Sequence, residues 1–168
     1  MKRALIVIDL QNDYFADGAF PLWNADAVLE RTVAAIGRAR AAGIPVILVQ
    51  HIAAGPSPLF VKDSHGAELH PRIRAAAPDA PVVVKSHADS FLGTTLEATL
   101  AQLGIEEILL CGMMTQNCVT HTALSRTADK YAVKLLGDCC TTVSEILHKF
   151  ALSAIAPRTP VVSWETAF

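Results

Sequence analysis

The chain has no apolar run long enough to cross a membrane, no block rich in Lys and Arg, no glycine-rich phosphate loop and no Cys-x-x-Cys pair. Each absence closes a class of function. A membrane helix needs roughly 20 consecutive apolar residues, whereas the apolar stretches here are strand-sized and interrupted. Fourteen Lys and Arg stand against sixteen Asp and Glu, a formal charge of -2, which argues against nucleic acid or an anionic membrane as partner. The glycines form neither the dinucleotide fingerprint nor the P-loop pattern. Cys111, Cys118, Cys139 and Cys140 lack a secretory or redox spacing and read as reduced thiols. Met1-Lys2-Arg3 leads straight into a strand-like run, without the small-residue cleavage site of a secretory leader. The expectation is a cytoplasmic protein whose partner is a small neutral or mildly charged molecule.

With 168 residues, 52% of them hydrophobic, the chain suits one well-buried domain spanning residues 1–168. Ala4-Leu5-Ile6-Val7-Ile8 is a continuous apolar run ending at Asp9, the pattern of a parallel strand buried on both faces. A helix capped at Asn24 or Asp26 runs to about Ala42, with Val28, Leu29, Val33 and Ile36 as its apolar stripe and Gly43 as its stop. Pro45–Val49 and Val82–Lys85 read as further strands, separated by a long Pro-, Gly- and His-rich excursion over 52–80. Helix 93–103, strand 106–111, helix 116–129, strand 132–136, helix 143–156 and a strand near Val161-Val162 complete the alternation. Such alternation implies right-handed crossovers. The expected fold is a three-layer α/β/α sandwich on a mainly parallel, doubly wound six-stranded sheet.

Ligands of such sheets bind beyond the carboxyl ends of the strands. Three chemical groups fall there: Asp9 after the first strand, Lys85 at the end of the third, and Cys118 after the fourth. Around Cys118, an apolar run breaks at Gly112 and a helix-like pattern follows, placing a thiol near a helix N-terminus where amides and the helix dipole favour the thiolate. A nucleophile, a carboxylate base and a cation are the parts of acyl transfer. Taken singly, Cys118 also reads as a small buried hydrophobe, Asp9 as a turn cap and Lys85 as an exposed charge.

Four ordered segments sharpen this picture: Leu5-Ile6-Val7-Ile8-Asp9-Leu10-Gln11-Asn12-Asp13-Tyr14-Phe15, Gly66-Ala67-Glu68-Leu69-His70-Pro71, Lys85-Ser86-His87-Ala88-Asp89-Ser90-Phe91-Leu92-Gly93-Thr94 and Gly112-Met113-Met114-Thr115-Gln116-Asn117-Cys118-Val119. Over nearly its whole length the chain resembles the isochorismatase-like cysteine hydrolases, which include nicotinamidases and N-carbamoylsarcosine amidohydrolase. The resemblance implies a catalytic triad of Asp9, Lys85 and Cys118. It further implies a cis peptide at Met113-Met114 and an oxyanion hole formed by the Met114 and Cys118 amides. It also implies a homo-oligomer, a dimer or larger. The expected chemistry is hydrolysis of a small amide, imide or ureide through a Cys118 thioester, without cofactor. The alternatives are cleavage of a non-amide bond such as a vinyl ether, which needs no cysteine, or a catalytically silent scaffold or ligand sensor.

The nicotinamidase branch carries a zinc-binding Asp/His cluster after the second strand, where this chain reads Val49-Gln50-His51-Ile52-Ala53-Ala54-Gly55. No metal is therefore expected. Asp63, His65 and His70 read as hydrogen-bonding loop residues, because a metal site needs ligand number and geometry together. Ser90, His87 and Asp89 lie too near in sequence to converge as a triad. Phe15, Trp23, His87, Phe91 and Met113 are candidate pocket lining, and His121, one turn after Cys118, could face either way. Cys139-Cys140 read as buried strand-end thiols.

Overall fold

A computed structural model describes residues 1–168. Six strands, β1 (Arg3–Ile8), β2 (Val46–His51), β3 (Val82–Lys85), β4 (Glu107–Met113), β5 (Ala132–Thr141) and β6 (Val161–Val162), form one sheet in the order β3-β2-β1-β4-β5-β6. Every neighbouring pair is parallel. Between the strands run α1 (Ala25–Ala41), α2 (Pro71–Ala76), α3 (Leu96–Leu103), α4 (Thr120–Ala123) and α5 (Glu145–Ile155). The result is the expected three-layer α/β/α sandwich. No helix is long and apolar enough to cross a membrane.

The central strands explain their own burial. Ala4 through Ile8 and Ile108 through Cys111 are all at most 1% exposed, as two-sided coverage requires of parallel strands. Each fully buried Leu, Ile or Val contributes about 1.5–3 kcal/mol by leaving water. At the amino-terminal edge the sheet also buries Glu107, paired with Arg3 at 3.0 Å and Lys134 at 3.2 Å from the flanking strands. The opposite edge is where strand order reverses: from β1 the chain builds outward through β2 and β3, then returns to set β4 on the other side. That reversal opens the crevice between the ends of β1 and β4.

Several expected elements differ in extent. The helix expected over 116–129 is three pieces: a π-helical turn at Thr115–Val119, then α4, then a 3-10 turn at Thr127–Lys130. Thr115, Thr120, Thr122 and Thr127 explain the breaks, since β-branched residues and local hydroxyl bonds weaken helix interiors. The fifth strand runs to Thr141 rather than residue 136, its pairing with β4 resuming after an irregularity between Leu110 and Gly112. Cys139 and Cys140 therefore lie within it. The helix expected from 93 starts at Leu96, because Gly93 adopts a left-handed φ of 66°. Asn24 occupies the N-cap position of α1 without a side-chain cap bond, and Ser144 caps α5 through Leu147 N–H. The 52–80 excursion contains α2 and is tied to the first loop by a bridge between Gln11 and Leu69.

Gly112 lets β4 approach the end of β1. Its φ is 133°, and a Cβ there would sit 2.0 Å from the Ile8 carbonyl oxygen. Gly112→Ala is therefore expected to destabilise the protein by about 3 kcal/mol or more. Gly37→Ala, on the exposed face of α1 where a Cβ meets nothing, is expected to stabilise it by up to about 1 kcal/mol. Urea denaturation measures both; equal midpoints for the two variants would refute the account.

Candidate active site

Asp9 leaves β1 in the left-handed region, with φ 57°, a conformation that Asp tolerates better than most residues. Its N–H donates to the Val49 carbonyl at 3.0 Å, and its own carbonyl accepts from Gln11 N–H at 2.8 Å, so the turn is held on both sides. Lys85 ends β3, two strands away and roughly 10 Å across the sheet. The long lysine stem covers that distance. Lys85 Nζ lies 2.9 Å from Asp9 Oδ2 with both side chains fully buried, and 3.3 Å from Cys118 Sγ. Cys118 comes from the π-helical turn after β4 and is 3% exposed.

Lys85 has two further neighbours, the His87 carbonyl at 3.0 Å and His51 Nδ1 at 2.9 Å. His87 thus enters through its backbone, while its side chain is exposed. His51 was outside every motif; the only signal for it was its place at the end of β2, beside Lys85 in register. Tyr14 was also missed as a site residue. It is 2% exposed, packs edge-on against Phe60 at 4.8 Å, and its hydroxyl has no partner within the chain. Burial pushes its pKa up, and the charges of Asp9 and Cys118 add to this. The phenol keeps its proton.

Burial likewise pushes the Cys118 thiol up to about 12; Asp9 adds to the rise and Lys85 opposes it. The sequence expectation of a thiolate favoured by a helix terminus is corrected here. Desolvation outweighs the nearby cation, so the resting group is a thiol beside the Asp9–Lys85 ion pair. Met114 N–H has no acceptor within the chain and remains free to donate. The Met113-Met114 peptide is cis. The turn is anchored from below: Thr122 Oγ1 donates to the Cys118 carbonyl at 2.7 Å and is joined to the buried Ser90 hydroxyl at 2.8 Å.

The other candidates make contacts of their own. Phe15 faces His70 at 4.5 Å, Trp23 faces His148 at 5.9 Å, and Phe91 stacks on Tyr131 at 6.2 Å. Met113 is fully buried within β4. Ser90 is spent on Thr122 and Asp89 accepts from Phe91 N–H at 2.9 Å, so these do not converge with His87. His65 contacts Glu68 at 3.2 Å and His70 accepts from Arg72 N–H at 3.2 Å, both local loop bonds. His121 is exposed and donates to the Asn117 carbonyl at 2.8 Å. All four cysteines are free and buried.

Asp9, His51 and Cys118 hold their donor atoms within 4.8 Å of one another, a spacing a metal could use. The Lys85 ammonium already contacts all three. A cation there would have to displace a buried positive charge, so this donor set does not fit the zinc of the nicotinamidase branch.

A family model described as the isochorismatase domain matches residues 3–166. The chain belongs to the isochorismatase domain family. Among its relatives, the isochorismatase family protein YddQ of Bacillus subtilis is 34% identical over 86% of this chain and 80% of its own. A streptothricin hydrolase of Streptomyces noursei is 37% identical over 72% of this chain and 43% of its own length. The crystal structure of an isochorismatase-type protein from Burkholderia xenovorans superimposes with a TM-score of 0.89 at 35% identity, covering 98% of this chain and 84% of that one. This isochorismatase-family chain therefore belongs among hydrolases.

Because Asp9 raises the Cys118 pKa and Lys85 lowers it, Asp9→Asn and Lys85→Met are expected to move the thiol in opposite directions. Iodoacetamide labelling of Cys118 at mildly alkaline pH, followed by peptide mass spectrometry, should speed up several-fold in the first variant and slow several-fold in the second. Movement of both in one direction would refute this electrostatic assignment.

Proposed function

We propose that the protein is a metal-independent cysteine hydrolase cleaving the C–N bond of a small amide, imide or ureide. The observation that carries this reading is the Lys85 ammonium placed 2.9 Å from the Asp9 carboxylate and 3.3 Å from the Cys118 sulfur. A base and a nucleophile bridged by one cation can exchange a proton without changing the net charge of the buried site.

In the first half-reaction Asp9 takes the Cys118 thiol proton and the sulfur attacks the substrate carbonyl. The oxyanion forms opposite the amides of Met114 and Cys118. Asp9 returns the proton to the departing nitrogen, the C–N bond breaks, and ammonia or an amine leaves behind a Cys118 thioester. Asp9, ionised again, takes a proton from water, whose oxygen attacks the thioester carbonyl. Collapse of that intermediate breaks the C–S bond, and the Cys118 sulfur recovers the proton from Asp9 as the acid is released. Lys85 stays charged throughout, so the cycle needs no metal to offset the negative charge. The protonated phenol of Tyr14 offers the substrate one hydrogen-bond donor within this apolar surround. The same reading expects more than one copy in solution, with Ile146 and Phe150, one turn apart on α5 and each 70% exposed, as apolar surface for a second copy to cover.

Ammonia release from a panel of small primary amides and ureides tests the proposal. Wild-type protein is expected to release ammonia from at least one compound, unaffected by chelator, and Cys118→Ala is expected to reduce that rate by about a thousandfold or more. Activity that survives Cys118→Ala, or disappears with chelator, would sink the reading.

A further inference from the structure

His51 is built into the site more firmly than a neighbouring loop residue would be. Gln11, fully buried, accepts from His51 N–H at 2.8 Å and donates to the His51 carbonyl at 2.8 Å, acting as a substitute strand that fixes the His51 backbone. The imidazole then lies 5.5 Å from the Phe60 ring, with Nδ1 2.9 Å from Lys85 Nζ. An ammonium only donates. Nδ1 must therefore be the unprotonated nitrogen, and the ring is the neutral tautomer with its proton on Nε2.

The arrangement matters because of a count. A lysine ammonium has three protons, and four groups lie within reach of Lys85 Nζ: His51 Nδ1, the His87 carbonyl and Cys118 Sγ stand in hydrogen-bond geometry, while Asp9 Oδ2, at 2.9 Å, is an ion-pair contact outside that alignment. His51 and the His87 carbonyl are both neutral and lie outside the proton exchange between Asp9 and Cys118. We propose that His51 is a positioning residue which, together with the His87 carbonyl, occupies two of the Lys85 protons and leaves a single one to serve Asp9 and Cys118 in turn. This rests on Asp9 being the base and Cys118 the nucleophile.

The consequence is a proton that follows the charge. The remaining Lys85 N–H is aligned with Cys118 Sγ, and the 2.9 Å contact with Asp9 is an ion pair outside that alignment, so rotation of the ammonium carries this proton between the two groups. It serves Asp9 while the negative charge is on the carboxylate, and Cys118 once the thiol proton has moved to Asp9 and the charge to sulfur. Net charge over Asp9, Cys118, Lys85 and His51 is zero in both states. Were Lys85 free to bond both groups at once, it would hold the thiolate and the carboxylate together, and Asp9 would lose basicity. The groups facing His51 are consistent with its neutral state: Lys85 from β3, His87 from the following loop, Asp9 from the end of β1 and Cys118 from the turn after β4. Burial, then Lys85, then His87 keep the imidazole below the ordinary histidine range, with Asp9 in opposition.

Two measurements without substrate test this. Nitrogen-15 NMR of histidine-labelled protein, with the His51 signal assigned by its loss in His51→Asn, is expected to show the neutral Nε2–H tautomer near neutral pH. It should revert toward a mixed, more easily protonated imidazole in Lys85→Met. An imidazolium or an Nδ1–H tautomer in the wild type would overturn the proposal. Iodoacetamide labelling of Cys118 is the second. In His51→Leu the released ammonium proton stabilises the thiolate, and a fall of about one pKa unit gives about tenfold more thiolate at fixed pH. With lower intrinsic nucleophilicity the net rise in rate is about threefold. His51→Asn, whose Oδ1 can stand where Nδ1 stood, is expected to label at the wild-type rate. A His51→Leu rate equal to or below wild type would also overturn the proposal. Buried Cys139 serves as the gauge of the fold, and if the Leu variant opens the core and labels both thiols, the wild-type tautomer decides alone. Neither measurement depends on ammonia release, so a missing hydrolase activity and a misassigned His51 give different results.

Discussion

A fully buried ammonium is the constraint on which this site depends. Removing Lys85 from water costs several kcal/mol, and the cost is offset only by good geometry and a full set of acceptors. Asp9 supplies the compensating charge as an ion-pair contact, and His51, the His87 carbonyl and Cys118 accept the hydrogen bonds. The surplus of partners over protons makes the arrangement chemical rather than merely structural. A contrast lies at the other edge of the sheet, where Glu107 is flanked by Arg3 and Lys134: two cations offset the charge of one carboxylate.

Backbone and side chains share the work of assembling this cluster. The reversal of strand order places the ends of β1 and β4 side by side, and Gly112 permits their close approach. The reach of Lys85 crosses from β3 past β2. Gln11 then ties the start of the first loop to the end of β2 and to the Ala67 carbonyl of the long excursion. Asp13 performs a similar task nearby, accepting from Phe60 N–H at 2.7 Å and Ala19 N–H at 3.2 Å. The residues between Asp9 and Phe15 thus hold together three segments far apart in sequence, an arrangement suited to a site whose groups must keep sub-ångström relations.

Much of the fold was legible because its strands are buried on both faces. Continuous runs such as Leu5–Ile8 and Ile108–Cys111 have no other stable use in a chain of this length, and their alternation with amphipathic helices implies the parallel order. Legibility failed where the governing contacts are not local. The stretch from Thr115 to Lys130 carries a helix-like pattern, yet its threonines and the demands of the Cys118 turn divide it. The helix α2 inside the 52–80 excursion left no periodic trace, being only six residues long.

Sequence by itself determined the fold class, the family and the positions of Asp9, Lys85 and Cys118 at three strand ends, because hydrophobic period and motif order are local properties of the chain. The protonation and partnership of those groups were decided only by the tertiary structure. Cys118 rests as a thiol because burial outweighs the cation beside it, and His51 is a partner of Lys85 because adjacent parallel strands bring two residues distant in sequence to 2.9 Å. Desolvation and proton sharing depend on what surrounds an atom in space, and neither is encoded in spacing along the chain.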